Sequence, residues 1–426
     1  SGLHMAMVCG TVFGALRFGL ALVPRAALFL PLKKIAAAAA LLAGLAYLLL
    51  SGAGVPTQRA FAMAAVALGA VFVDRPAVTL RALAAAAFGV LLVAPESMTS
   101  VGFQMSFAAT LALVAAWEAA RRRGWLRPSA AGAARVVLAY AVGLAATSLI
   151  AGSATAPFAA HHFNRLAMWG WAANLAAVPA LGLWSAPMLL AGAVAAPFGL
   201  EGPFLAAAGA GIDWILSVAR FAADRADAVR FTPAAPPAGF AAIVLGGLAL
   251  ALAPGAGRAA GAATMVAGFA LWVGAPDRPR ALVAPGGALI GVLGPEGRAL
   301  DHASAAGYAA GVWLRRDGDG AAQAEAARRP GLTRDGPWTA AEIGGGWRLA
   351  RLEGRADRAE IAARCAPRVL LLLPDAEALD AAGPCMMLDR SALAAVGALS
   401  VEGRGEELRL RAAADAHARP WTAAPP

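Results

Sequence analysis

The sequence predicts a polytopic α-helical membrane protein of about nine or ten spans, some of them broken, followed by a small C-terminal α/β or mixed soluble domain. Three observations carry this expectation. First, 60% of the 426 residues are hydrophobic and only 15% are charged, a balance that a soluble domain could not solvate. Second, apolar runs recur at membrane-crossing length. The clearest lies at 101–120 within APESMTSVGFQMSFAATLALVAAWEAARRRGWLRP, which opens on Pro95, Glu96 and Ser97 and closes on Arg121, Arg122, Arg123 and Arg127. About 20 residues at about 1.5 Å each match a hydrocarbon core about 30 Å thick. Third, the loops alternate in charge. Four basic residues fall at 17–34, none at 51–57, two near 74–81, none at 95–100 and five at 121–135. Lys and Arg stay on the cytoplasmic side, so Ser1, the loops at 51–57 and 95–100 and the segment 152–164 are expected outside.

In order, the spans read 2–22 with Arg17 inside, 35–51, 58–73, 77–94, the opening stretch and 136–156. SGAGVPT and Asp74-Arg75-Pro76 make turns between them. Segment 152–165 (GSATAPFAAHHFNR) is the most polar inside the membrane part. Residues 166–200 contain Pro179, Pro187 and Pro197. They are too many for one straight span and too few for a comfortable hairpin, and read as a broken or re-entrant helix. Residues 204–224 are amphipathic and span or line an interface, and 240–253 with 259–274 are short final spans. The chain opens at Ser1 inside what reads as a helix, so an N-terminal part is expected to be missing.

From about Pro276 the pattern changes. Short strands are expected at 280–283, 288–293, 347–352, 368–373, 385–388 and 406–411, and a helix at 303–314. Domains are accordingly expected at 1–275 (membrane), 276–414 (soluble, outer side) and 415–426 (disordered tail). Residues 1–279 hold 18 Lys and Arg against 8 Asp and Glu, and the remainder holds 18 of each. The net charge of +10 therefore belongs to the membrane part, and the soluble part has no bulk electrostatic footprint for nucleic acid. No GxxxxGK[ST] loop is present, so a motor would be a separate protein.

Read in order, SGLHMAMV, GVPTQRAF, SVGFQMSFAATLAL and HHFNRLAMWGWAANLAAVP resemble the ComEC family of competence proteins, the inner-membrane DNA-uptake channels of natural transformation. The resemblance rests on Ser1-Gly2-Leu3-His4, Pro56, Gln58 and Arg59, then Gly102, Phe103, Gln104, Ser106 and Phe107, then Phe163, Asn164, Asn174 and Pro179, and covers about 1–275. It implies passage of one DNA strand into the cytoplasm, extra N-terminal helices and an OB-like domain, and competence-machinery partners including a separate ATPase. The family often carries a metallo-β-lactamase-like C-terminal domain. This chain departs from it: His-x-His-x-Asp-His chemistry needs several imidazoles and carboxylates, and the tail has only His302 and His417, with Asp301-His302 a lone pair. A non-catalytic domain without metal or cofactor is expected.

The candidate DNA path comprises Ser1, His4, Gln58, Arg59, Gln104, Ser106, His161, His162, Asn164, Arg165 and Asn174. Arginine suits phosphate because its planar fork donates bidentately, and its alternative is a snorkelling anchor. For Gln104 and Ser106 the alternative to pore lining is interhelical hydrogen bonding. Trp169 and Trp171 offer base stacking or an interfacial belt. Adjacent histidines point to different sides of a helix, which disfavours a two-histidine metal site. Cys365 and Cys385 each precede or begin an expected strand. Parallel neighbouring strands would bring them within the ~5.5 Å Cα separation of a disulfide, which an oxidising periplasm permits. Two rival functions stay open: a transporter of a small solute or lipid, and a membrane-tethered metal-dependent hydrolase or nuclease.

Overall fold

The computed structural model describes residues 2–76, 78–125, 132–274, 278–376 and 383–413. Ser1, Arg127, His417 and the expected tail at 415–426 lie outside the described residues. The chain divides into two compact units. The first comprises Ser1–His162, Leu166–Arg230 and Ala241–Ala267, and the second Phe163–Arg165, Phe231–Phe240 and Gly268–Pro426.

The first unit is helical. Its elements are α1 (Gly2–Ala21), α2 (Pro24–Phe29), α3 (Leu32–Leu50), α4 (Val55–Phe72), α5 (Leu80–Val93), α6 (Val101–Arg122), α7 (Ala133–Phe163), α8 (Gly170–Pro179), α9 (Ala186–Ala195), α10 (Gly202–Ala223) and parts of α11 (Pro237–Leu252) and α12 (Ala256–Gly274). Strands β1 (Arg165–Ala167) and β2 (Val229–Phe231) pair in a small ribbon. Among the described residues eight helical stretches are long and apolar enough to cross a membrane, with the α8–α9 run counting as one, while α5 and α11 are shorter. The protein is a multi-pass membrane protein. Its apolar side chains point outward, as Leu42, Leu49, Val136, Val137 and Leu138 do, because the surrounding solvent is hydrocarbon. Packing inside the bundle relies on small residues: Ala36, Ala40 and Gly44 of α3 are buried, and Ala40 packs with Met5 and Cys9 of α1. Gly246 of α11 and Gly261 of α12 let two backbones approach, since a Cβ at Gly246 would lie 2.6 Å from the Met265 nitrogen.

Two segments differ from the sequence expectation. The polar stretch at 152–163 continues α7 as helix through Pro157. Its alanines favour helix, and Thr155 donates back to the Ala151 carbonyl at 2.9 Å. The Pro-rich run at 166–200 is not unwound: a π-helical turn, Ala180–Ser185, joins α8 to α9. Pro187 lacks an N–H and its ring crowds the carbonyl four residues back. The wider π turn takes up that conflict inside one helix.

The second unit contains β3 (Ala281–Val283), β4 (Ile290–Gly294), β5 (Gly297–Leu300), α13 (Gly307–Arg316), α14 (Gln323–Ala326), β6 (Thr333–Asp335), β7 (Trp338–Gly344), β8 (Trp347–Leu352), α15 (Arg358–Arg364), β9 (Val369–Leu373), β10 (Met386–Asp389), α16 (Arg390–Val396), β11 (Leu399–Arg404) and β12 (Glu407–Ala412). They form two five-stranded sheets, ordered β12-β11-β3-β4-β5 and β10-β9-β8-β7-β6. The sheets share one core, in which Val283, Ile290, Val292 and Val401 meet Ile343, Leu349, Leu370 and Leu372. Helices α13 and α14 cover the outer face of the first sheet through Ala310, Trp313, Leu314 and Ala326. Helix α15 covers the second through Ile361. Central β9 is apolar at every position because alternate leucines face opposite cores: Leu370 and Leu372 the shared one, Leu371 and Leu373 the one under α15.

One buried and one part-buried ion pair in this unit are well satisfied. Arg298, fully buried, donates from Nε to Asp317 Oδ2 at 2.6 Å and from Nη2 to Oδ1 at 3.1 Å. Its Nη1 reaches the Gly291 carbonyl at 3.0 Å and its Nη2 the Pro279 carbonyl at 2.9 Å. Burial alone would raise Asp319, but hydrogen bonds from Arg329 and the Ala321 N–H, with the Arg329 charge, outweigh it and hold the carboxyl below the usual carboxylate range.

Cys365, at the end of α15, and Cys385, ahead of β10, form a disulfide with a Cα separation of 5.0 Å. Strands β9 and β10 run parallel. The bridge closes a loop across a sequence separation of 20, a constraint on the unfolded chain that contributes about 3 kcal/mol. Alkylation of the denatured protein without reductant is expected to label one thiol, that of Cys9, and three after reduction. Mass spectrometry reads the difference.

Candidate nucleic-acid path

Three of the candidate side chains, Arg59, Gln104 and His162, lie at the adjoining ends of α4, α6 and α7. Each end is built locally. Helix α4 starts inside the SGAGVPT segment, at Val55, with Pro56 in its first turn, and Gln58 donates from Nε2 to the Ala53 carbonyl at 2.7 Å. Helix α6 follows a short 3₁₀ turn, Pro95–Thr99, and is capped by Ser100, whose Oγ accepts from the Phe103 N–H at 3.3 Å. Helix α7 ends in His161, His162 and Phe163.

Contacts join these ends. Gln104 Oε1 lies 2.8 Å from His162 Nε2, linking α6 to α7 across 58 residues. The Gln104 amide also donates to the Met98 carbonyl at 3.2 Å. Arg59 of α4 is 93% buried against Gly102 of α6: a Cβ at Gly102 would lie 3.0 Å from the guanidinium carbon and closer still to Nη2. Among the described residues Arg59 has no hydrogen-bond or ion-pair partner, and its Nε is fully buried. Thr57 and Ser97 are buried beside these elements. These contacts bring the three helix ends together.

The remaining candidates are distributed. His161 packs edge-on to His162 at 4.9 Å, and Ser106 is half-buried on α6. His4 on α1 and Asn174 on α8 are exposed, as is Arg165. Asn164 is buried with a left-handed φ of 55°. It terminates α7 and holds the following segment, since its carbonyl accepts from the Thr232 N–H at 3.0 Å and its amide donates to the Thr232 carbonyl at 3.3 Å. Asn164 belongs to the second unit, unlike Arg59, Gln104 and His162. Trp169 donates to Asp227 at 2.9 Å with Arg225 over its ring, and Trp171 is exposed. Thr57 and Ser97 have no place among the candidate path residues that the sequence singles out, and Gly102 enters there only through the family resemblance, not as a seat for Arg59. Small polar residues at turns carry no one-dimensional mark that separates capping from lining.

In the second unit Asp301 and His302 enter a charged network. The buried Asp301 carboxylate accepts from the Ile290 N–H at 2.9 Å and from Arg351. His302 lies 3.3 Å from Arg351 and 3.0 Å from Glu353. The hydrogen bond to His302 holds the Glu353 carboxyl below the usual carboxylate range, against a small opposing effect of burial and helped by the charges of His302, Arg351 and Arg334. Among the described residues no three His, Cys, Asp or Glu side chains are grouped to hold a metal ion.

Comparison with curated proteins and with solved structures finds no match. A family model described as competence protein matches residues 1–256, which is more than half of the chain and includes α4, α6 and α7. The chain belongs to the competence protein family, and its role lies in competence and DNA uptake.

Proposed function

We propose that the chain conducts single-stranded DNA across the inner membrane during natural transformation, and that the strand enters at the junction of α4, α6 and α7. The observation that carries this reading is the convergence of Arg59, Gln104 and His162 at adjoining helix ends of a bundle whose outer surface is apolar. Polar groups inside a membrane protein are costly and mark transport paths. Arginine and neutral amide or imidazole groups suit a phosphodiester backbone, and such binding weakens as salt rises. Gln58, Ser106 and His161 extend this surface, with His4 and Asn174 as outlying contacts. Residues 1–275 form the channel and 276–414 a non-catalytic periplasmic domain, whose disulfide suits an oxidising compartment. The work of pulling comes from a separate ATPase of the competence machinery.

The test replaces Gln104 and His162 by alanine, singly, in transforming cells. Strand-labelled DNA reaching a nuclease-protected cytoplasmic pool is measured, and protein levels are matched by immunoblot. Entry is expected to fall about tenfold, the effect of losing one hydrogen bond of about 1.5 kcal/mol to a charged phosphate. Normal entry in both variants would remove the junction from the path.

A further inference from the structure

The bundle carries a polar concavity that lies apart from the α4–α6–α7 junction. An open groove of about 610 Å³ lies where α1, α2 and α3 turn, and its walls include Arg17, Phe18, Leu30, Lys33, Lys34 and Asp74. Asp74 takes a left-handed φ of 55° at the turn after α4, and its carboxylate meets Lys34 at 2.9 Å. Arg17 and Lys33 have no ion-pair partner among the described residues. Three cations against one carboxylate leave the groove with a net charge of +2.

The surroundings of these cations are apolar. Of the lining residues, Phe18 of α1 is 70% and Leu30 after α2 is 47% exposed, and Leu28 and Phe29, next to Leu30 in sequence, are exposed as well. A site for a freely dissolved anion has no use for such a rim in water. At the end of membrane-spanning helices the same rim is solvated by acyl chains, while Arg17 and Lys33 reach the headgroup layer. Helix α2, only six residues long, joins two spans at that level. The arrangement therefore offers phosphate-binding charge and acyl-binding surface side by side. Basic pockets between membrane helices bind anionic headgroups on these grounds.

We propose that the groove formed by Arg17, Lys33 and Lys34 at the α1–α2–α3 turn seats the phosphate headgroup of an anionic phospholipid, with its acyl chains along Phe18 and α2. The lipid phosphate pairs with the two unpaired cations, lowers the groove's net charge from +2 to +1, and fixes the turn between α1 and α3. The binding chemistry is that of a phosphate monoanion or diester. The apolar rim selects a lipid over inorganic phosphate as its source.

The purified protein in detergent is titrated with dioleoylphosphatidylglycerol or dioleoylphosphatidylcholine and read by native mass spectrometry. Wild-type protein is expected to prefer phosphatidylglycerol. Each cation removed should weaken that binding about five-fold, so Arg17→Gln with Lys33→Gln abolishes the preference. The charge-conserving pair Arg17→Lys with Lys33→Arg keeps it, as does Arg121→Gln in another basic loop. Retention of the preference by the glutamine pair overturns the proposal, as does its loss in the charge-conserving pair. Displacement of the lipid by excess inorganic phosphate also overturns it, because the ligand would then be a free anion. None of these outcomes depends on whether DNA passes the α4–α6–α7 junction.

Discussion

Asp317→Ala is expected to destabilise the second unit by about 3–5 kcal/mol, the cost of leaving a buried charge without its partner. Arg298 is wholly enclosed, and Asp317 supplies two of its four hydrogen bonds and its counter-charge. The two carbonyl acceptors that remain, Gly291 and Pro279, carry no net charge. Such a loss is a large share of the 5–15 kcal/mol that holds a typical domain together. Urea-dependent proteolysis of membranes containing the full chain reads it as an earlier cleavage midpoint within 278–413. The double change Arg298→Met with Asp317→Leu is expected to recover most of the loss, because it removes both charges and keeps the volume. An unchanged midpoint for Asp317→Ala would mean that the guanidinium finds water or another partner.

Arg59→Ala is expected to lower transformation ten- to a hundred-fold at matched protein levels, corresponding to about 1.5–3 kcal/mol for a hydrogen bond to a charged group. The guanidinium lies in its seat at Gly102, and among the described residues it has no hydrogen-bond or ion-pair partner. On the proposed path, a phosphate oxygen reaching the fork would compensate its desolvation. Lysine at 59 should restore part of the activity, since it keeps the charge and loses the bidentate geometry. Gly102→Val tests the seat itself. The added methyl groups occupy the guanidinium's place, and the flexible arginine swings away at a packing cost of about 1–3 kcal/mol. The double variant should then be no worse than Arg59→Ala alone, as expected for two residues acting through one contact. Additive losses in the double variant would separate Gly102 from Arg59. Full transformation by Arg59→Ala would withdraw the arginine from the path.

Legibility of this chain in its sequence follows the strength of the physical constraint on each part. The α6 run and the loop arginines were readable because a bilayer fixes length and the insertion machinery sorts charge. Gln104 and His162 each stood out as polar groups in apolar text. Their pairing did not, since 58 residues separate them and no local periodicity links two helices. The π turn at Ala180–Ser185 was hidden because Pro187 marks a conflict without saying how it is resolved. In the second unit β9 was plain from its continuous leucines, whereas β7 (WTAAEIG) is rich in alanine and weak in strand propensity. One missed element did carry a signal. Asp357 caps α15 by accepting from the Glu360 N–H at 2.7 Å, and Asp-Arg-Ala-Glu has the spacing of a capping box.

Strand β9 also bears on the chain before it is folded. Val-Leu-Leu-Leu-Leu is a segment of high strand propensity and no charge, the kind that stacks with copies of itself when its edges are open. Arg368 precedes it, and Pro374 and Asp375 follow, residues that interrupt such stacking at either end. In the folded unit β8 and β10 occupy both of its edges through parallel pairing. A cut between β8 and β9, or between β9 and β10, leaves the piece that contains β9 without one of these neighbours. Insolubility of such pieces would reflect an exposed sheet edge, and says nothing about the stability of the intact domain.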